Sequence, residues 1–458
     1  MTGRSILFLN IWDDLMKYKS IFFILVFTAA AIQISGQTSI TLNEAISSAL
    51  HQNTSLIKSV NNLVTTEAAI KNAYGNLIPS LNFSSSFGWQ RTSSSASTSV
   101  INYFGETQNL GASETDTRNF GMSLGGNVTL FDGLATPANI EMTRMNLQSA
   151  KYDLEKMRQD IILQTVNLFV TIVNDEKLLN FQQEDLKYNQ DLTNKIKEMY
   201  DLKMVTNSDL YSQDYQTSNS QFAYLQAKSN FDKAKISLLN YLSMDVLKDY
   251  SFQMDSTYLP GAVKYLDNMD IIYQTALNNR SDYQSQRAKI ISAEYSLTIA
   301  RGGLYPSLTG NYGFSTSATS PSELFTRKVY SLGLSLNFPI FSHWSTDYLI
   351  QTAQIALKNV NEDLAALDRQ IKSDVKNAVI DLQTTKLQLE VSKSAVRSSK
   401  ETWDIKKDSY ILGTATFIDQ QQAYRDYVQA MNNEITAESN YIFKQFGLLS
   451  AIGLLNMK

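Results

Sequence analysis

Four segments of the chain alternate apolar and small polar residues with a period of two, the repeat of a β-strand whose faces meet different surroundings. In the first, Leu81, Phe83, Phe87 and Trp89 interleave with Asn82, Ser84, Ser86, Gly88 and Gln90; in the second, Phe120, Met122, Leu124, Val128 and Leu130 interleave with Gly121, Ser123, Gly125, Asn127 and Thr129. The third sets Leu308, Tyr312 and Phe314 against Thr309, Asn311 and Ser315. The fourth sets Tyr330, Leu332, Leu334, Leu336, Phe338 and Ile340 against Ser331, Gly333, Ser335 and Asn337. After each pair of strands the pattern turns helical. Residues 138–199 contain no proline, and Leu147, Leu154, Ile161 and Leu168 stand at heptad spacing; residues 346–409 carry Leu357, Val360, Leu364, Leu367, Ile371, Val375 and Leu382. Sustained apolar heptads predict coiled-coil rods of about 90 to 95 Å at 1.5 Å per residue. Shorter helices are predicted over about 42–72, 209–242, 270–300 and 419–452, placed to stack end to end beside the rods.

The same order of elements occurs twice. Ala49-Leu50 returns as Ala276-Leu277, and Leu77-Ile78-Pro79-Ser80-Leu81 as Leu304-Tyr305-Pro306-Ser307-Leu308, both offset by 227 residues. Phe131 and Phe341, Tyr200 and Tyr410, Thr206 and Thr416, Asp209 and Asp419, and Asn230 and Asn440 are offset by 210. The lost residues fall between Leu81 and Phe120, in a stretch rich in Ser, Thr, Gly and Asn where a surface loop tolerates length change. The chain therefore divides into a first repeat, 37–245 (helix, hairpin about 80–131, long helix 138–200, helix 206–243), a linker, 246–267, and a second repeat, 268–458 (helix, hairpin about 307–341, long helix 346–410, helix 416–453).

Two surroundings fit such strands: a soluble sandwich with its apolar face inward, or a membrane barrel with that face toward lipid and the polar face toward water. No strand core carries a charge, and Trp89, Tyr330 and Phe341 lie near strand ends, where interfacial aromatic girdles form; both features favour the barrel. Four strands cannot close one. In hydrocarbon an open edge leaves backbone groups unpaired, and barrels need about eight strands or more, so several copies must contribute. The fold class is thus mainly α with transmembrane β, internally duplicated, with two hairpins per protomer.

Ahead of the repeats, residues 21–34 form an apolar run preceded by Lys17 and Lys19 and followed by Ser35, Gly36 and Gln37. The run is shorter than the roughly 20 residues a spanning helix needs, so 1–36 is expected to be a signal peptide cleaved near Gly36. Asp13 and Asp14 sit awkwardly ahead of it, which suggests Met16 as the start and 1–15 as an upstream extension. Composition narrows the chemistry. Among 458 residues there are 44 acidic and 40 basic side chains, two histidines and no cysteine. That excludes a disulfide scaffold, a thiolate metal site and a lipoprotein anchor, and leaves no basic field for nucleic acid. His51 and His343 lack companions at metal or triad spacing, no phosphate-binding loop occurs, and Asp175, Glu176, Glu184 and Asp185 are expected on the surface of a rod. No cofactor, metal or catalytic site is expected.

TLNEAISSALHQN from Thr41, NLIPSLNFS from Asn76, LFDGLATPANI from Leu130 and YILGTATFIDQQQA from Tyr410 together resemble the TolC-type outer membrane efflux channel family, over essentially the whole mature chain. The resemblance implies a homotrimer whose three chains form a twelve-stranded barrel in outer membrane lipid. Long helices would continue the barrel as a tunnel into the periplasm, where an adaptor protein and an inner-membrane pump, proton-driven or ATP-driven, would dock. It also implies site roles. Asp419 matches the first aspartate of the family's constriction, and Gln422 stands where a second aspartate is usual, which puts a double aspartate ring in doubt. A ring of Asp419 carboxylates would crowd like charges, raise their pKa and attract cations; an N-cap role for Asp419 and Asp209 is the structural alternative. Tyr410 matches a latch tyrosine with Tyr200 as its first-copy counterpart, and Asp209 matches the latch's aspartate. Gly413, Lys203, Thr206 and Thr416 fall at the adaptor-docking tips; Lys203 stands where the second copy has Gly413, so one groove is expected to differ. The competing reading is a non-conducting periplasmic coiled-coil spacer or surface-anchored structural protein. Its interior would be packed with apolar residues rather than lined by Ser, Asn, Thr and Gly.

Overall fold

The computed structural model describes residues 38–95, 99–101, 103–105, 107–109, 112–254 and 268–455. The expected signal peptide at 1–36 with its cleavage point and start at Met16, and the 255–267 part of the expected linker, lie outside the described residues. The first half runs β1 (Thr38–Thr41), α1 (Leu42–Gln52), α2 (Thr54–Gly75), β2 (Asn82–Ser94), β3 (Ser99–Ile101), β4 (Thr107–Asn109), β5 (Ser113–Asp132), α3 (Ala135–Asp201) and α4 (Asn207–Tyr241). The second runs β6 (Tyr250–Gln253), α5 (Met269–Asn279), α6 (Ser281–Gly302), β7 (Ser307–Ala318), β8 (Val329–Asn337), α7 (Ser345–Ile411) and α8 (Phe417–Ala451), with a 3-10 turn at Pro321–Glu323.

The duplication holds helix by helix. α1 and α5 each have 11 residues, α2 and α6 each 22, α3 and α7 each 67, and α4 and α8 each 35. A 67-residue helix is about 100 Å long. Where one helix is expected over 42–72, two meet at Asn53, whose side-chain oxygen accepts from the Ser55 and Leu56 amides and caps the second. The equivalent break falls at Arg280. The rods start without a side-chain cap at N-cap position, each following two left-handed residues: Gly133 and Leu134 (φ 69° and 70°) and His343 and Trp344 (φ 53° and 58°). A Cβ on Gly133 would lie 2.4 Å from the Gly302 carbonyl oxygen, so the turn from strand to rod needs glycine there.

β2, β5, β7 and β8 form one antiparallel sheet in that order, with the two copies joined at β5 and β7. β2 and β8 are its free edges within the chain. The first hairpin is the taller: β7 pairs with β5 from Phe120 onward, while β2 follows β5 up to Ser113, where Arg91 reaches Glu114 (2.9 Å) and Asp116 (3.5 Å). The core lies far from the sheet. β1 and β6 form a parallel pair, and Phe252 of β6 belongs to one core cluster with Ile46 of α1, Val166 and Phe169 of α3, Leu238 of α4 and Phe446 of α8. A second cluster joins Ile272 and Ala276 of α5, Ile371, Val375, Val379 and Leu382 of α7, and Leu448 and Ile452. Both clusters grip the rods near mid-length, leaving the sheet at one end and the α3–α4 and α7–α8 turns at the other. No helix among the described residues is long and apolar enough to cross a membrane.

Candidate functional site

Register sorts the sheet into two unlike faces. Phe83 opposes Leu124, which opposes Phe314, which opposes Tyr330; Phe87 opposes Phe120, Tyr312 opposes Leu332, and Leu308 opposes Leu336. Directly opposed residues share a face, so these side chains make one apolar surface. Leu332 is 90% exposed and Leu334 73%. The other face aligns Ser84 with Ser123, Ser86 with Gly121, Asn127 with Asn311, and Gly313 with Ser331. It is polar, uncharged and slender, with the Ser84 and Ser123 hydroxyls 2.7 Å apart. An apolar face this exposed needs lipid or protein against it, and a face of small polar groups suits water.

At the opposite end, two turns carry the expected entrance residues. The Gly413 amide donates to the Tyr410 carbonyl (3.0 Å) and the Thr414 amide to the Ser409 carbonyl (2.8 Å); the Lys203 amide donates to the Tyr200 carbonyl (2.8 Å) and the Met204 amide to the Met199 carbonyl (2.8 Å). Both helices therefore end in the same left-handed motif. Lys203 adopts φ 58° where Gly413 adopts 74°, so the backbones agree and the difference between the tips is chemical.

The capping roles fall differently from the N-cap expected of the aspartates. Thr206 and Thr416 are the N-caps of α4 and α8, and Asp209 and Asp419 complete capping boxes three residues on. Asp419 Oδ2 accepts from the Thr416 amide (3.1 Å) and hydroxyl (2.8 Å), and Asp209 Oδ2 from the Thr206 amide (3.0 Å) and hydroxyl (2.7 Å). Thr416's hydroxyl and amide hold the Asp419 carboxyl below its ordinary range, with a smaller contribution from Lys406. Within one chain the shift is thus opposite to that expected of crowded carboxylates. Gln422 Nε2 donates to Asp426 Oδ1 (2.8 Å), and Arg425 donates to Gln422 Oε1 (2.6 Å), so a carboxylate does occupy this helix one turn beyond Gln422.

Tyr410 is half-buried with its ring 5.6 Å from Phe417, and its phenol is pushed up first by burial and then by the charge of Asp209. Among the described residues no hydrogen bond joins the two, and Asp209 Oδ2 accepts instead from Thr206. Tyr200 is exposed.

Above the tips the structure gathers polar residues that the sequence left scattered. Asp185, expected on a rod surface, is 5% exposed; Tyr424 Oη donates to its Oδ1 at 2.7 Å, and Asn189 Nδ2 donates to the same oxygen at 3.1 Å. Glu184 beside it is exposed, as expected, and burial raises the half-buried Asp175 and Glu176. Desolvation and the neighbouring Asp185 carboxylate push the Tyr424 phenol far up. A signal was present: Gln182, Asp185, Asn189 and Ile196 follow one another at spacings of three, four and seven, continuing the buried stripe of Ile161, Phe169 and Ile172 with polar residues. Among the described residues no three His, Asp or Glu side chains are placed to hold a metal ion.

Comparison with known proteins matches this geometry. The family described as "Outer membrane efflux protein" matches residues 45–243 and 272–454. Pyoverdine export outer membrane protein OpmQ of Pseudomonas aeruginosa is 33% identical over 67 residues, a stretch that is 15% of this chain and only 14% of that protein's length. The CmeC outer membrane channel of Campylobacter jejuni superposes with a TM-score of 0.77 at 19% identity, covering 90% of this chain and 85% of that one. Outer membrane protein VceC of Vibrio cholerae gives 0.72 at 15% identity, covering 90% and 96%. The fold is that of a TolC-type channel protomer, mainly α with transmembrane β, whose two hairpins and paired rods a trimer closes into a twelve-stranded outer-membrane barrel and a helical tunnel reaching into the periplasm. With both repeats matched, the chain belongs to the outer membrane efflux protein family.

Proposed function

We propose that the protein is the passive exit duct of a tripartite efflux or type I secretion system, receiving substrates from an inner-membrane pump through a periplasmic adaptor and releasing them outside. The observation that carries this reading is the sheet with one greasy and one hydrophilic face, its edges β2 and β8 open, standing on rods about 100 Å long. Closing those edges requires sister copies, and the uncharged polar face then lines the bore. The chain does no chemistry of its own; energy comes from the pump.

In this reading Asp419 and Gln422 face the constriction, Tyr410, Tyr200 and Asp209 latch neighbouring helices, and the turns around Gly413, Lys203, Thr206 and Thr416 receive the adaptor. Lys203 makes the two docking tips chemically unequal although their backbones coincide. The test is reconstitution of purified full-length trimers in a planar bilayer. Discrete conductance steps are expected; folded trimers that leave the bilayer silent would instead be a spacer.

A further inference from the structure

At the end of the sheet away from the rods, the apolar face gives way to cations. On β5, Arg118 follows Phe120 by two residues, so it shares that residue's face, and it stands directly opposite Trp89 of β2. The same step of two leads from Trp89 to Arg91 on β2, and from Tyr330 to Lys328 just ahead of β8. The turn before β8 lies on this side of the sheet as well. Thr316 opposes Met122 on the apolar face, is 3% exposed, and its hydroxyl donates to the Leu324 carbonyl of the turn.

The three cations are not equivalent. Arg91 is engaged by Glu114 (2.9 Å) and Asp116 (3.5 Å), which stand farther out on the same face. Arg118 and Lys328 are exposed, and among the described residues neither side chain makes an ion pair or a hydrogen bond. The arrangement also has a direction. Toward the rods the four strands carry no lysine or arginine, and Asp132 at that end of β5 accepts from the Thr136 amide (2.8 Å). Uncommitted positive charge on the strands is therefore confined to the rim that faces away from the periplasm.

An aromatic girdle marks the depth at which hydrocarbon meets headgroups. Two residues farther along a strand is about 7 Å. A cation placed there lays its stem along the apolar face and its charge among the headgroups, where phosphate carried directly above acyl chains is its natural counter-ion. We propose that Arg118 and Lys328 bind the phosphates of the phosphorylated glycolipid of the outer leaflet, anchoring each protomer to that leaflet from outside the barrel. Glu114 and Asp116 hold Arg91 neutralised above this belt, which leaves the attraction to Arg118 and Lys328. The inference rests on the barrel and not on the duct, so a barrel that proved non-conducting would leave it standing.

The test is native mass spectrometry of purified full-length trimers titrated with lipid A, with dephosphorylated lipid A and with phosphatidylglycerol. Wild type should retain lipid A in preference to both. Arg118→Gln and Lys328→Gln should each weaken that retention about fivefold, whereas Arg118→Lys and Lys328→Arg, which keep the charge, should preserve it. Where a glutamine variant does not assemble, the comparison of the three lipids on wild type decides alone. Equal retention of lipid A and its dephosphorylated form, equal retention of phosphatidylglycerol, or assembled glutamine variants that hold lipid A as wild type does would each overturn the site. Conductance of the same trimers in planar bilayers judges the duct separately.

Discussion

Lys203 and Gly413 occupy the same place in the two tip turns and the same left-handed backbone, although only one of them is a glycine. A side chain in that conformation costs about 1 to 2 kcal/mol, part of which glycine returns through its greater freedom when unfolded. Lys203→Gly should therefore stabilise the first tip by about 0.5 to 1 kcal/mol. The check is slower hydrogen exchange at the Met204 amide, which donates to the Met199 carbonyl across the turn. Gly413→Ala should speed exchange at the Thr414 amide.

Asp419 gives a pH prediction with a definite sign. Its folded pKa lies below the ordinary 3.8, so the capping box contributes stability that is complete above pH 3.8 and is lost as the pH falls through the lower folded value. Melting of the assembled protein followed from pH 6 downward should show an acid limb below 3.8 that Asp419→Asn flattens. Stability that instead rises as the pH falls from 6 would mean that carboxylates crowding around an axis outweigh the cap. Thr416→Ala should cost about 1 kcal/mol by removing the cap itself.

Adjacent residues on β8 should respond oppositely to the same substitution. Leu334→Arg places a charge on the apolar face and should cost about 2 to 4 kcal/mol, seen as loss of folded trimer from the outer membrane. Ser335→Arg points the same charge to the polar face. It should leave assembly intact and shift the channel toward anions, read as a change in reversal potential.

Arg280 is a buried guanidinium where the first copy has Asn53. It bonds Asp282 (2.7 Å), Asp374 (3.0 Å) and the Ala451 carbonyl (3.3 Å), tying the start of α6 to α7 and the end of α8. Burial pushes the Asp282 carboxyl up, and Arg280 more than offsets it. Arg280→Ala strands that carboxylate and should destabilise by about 3 kcal/mol in denaturant unfolding. Arg280→Ala with Asp282→Ala should recover part of the loss.

Tyr410 and Asp209 separate a latch between chains from packing within one. The Tyr410 ring rests on Phe417, and among the described residues it makes no hydrogen bond to Asp209. If the hydroxyl and carboxylate serve a latch, Tyr410→Phe with Asp209→Ala should raise the leak conductance; a wild-type leak assigns Tyr410 to packing alone.

The fold was legible because period-two alternation and heptads are one-dimensional patterns, and because Leu77–Leu81 and Leu304–Leu308 announce that the same pattern is read twice. The strands' two faces follow directly from Phe83, Ser84 and their successors. The buried polar group around Asp185 was not legible: Asp185 and Tyr424 lie on different helices 239 residues apart, and polar residues at buried heptad positions look like surface positions until the neighbouring helix is in place. The backbone at Lys203 was not legible either, because the hydrogen bonds of the helix end impose the left-handed conformation on a residue that is not glycine.

Equal rods have a cost for change. One residue inserted into either α3 or α7 would push its tip out by about 1.5 Å and rotate everything beyond it by about 100°, misaligning the heptad seam along the remaining length. Growth is cheap only past the rim of the sheet, where the taller first hairpin stands clear of its twin. Outward-facing novelty can accumulate there while the span of the tunnel stays the same.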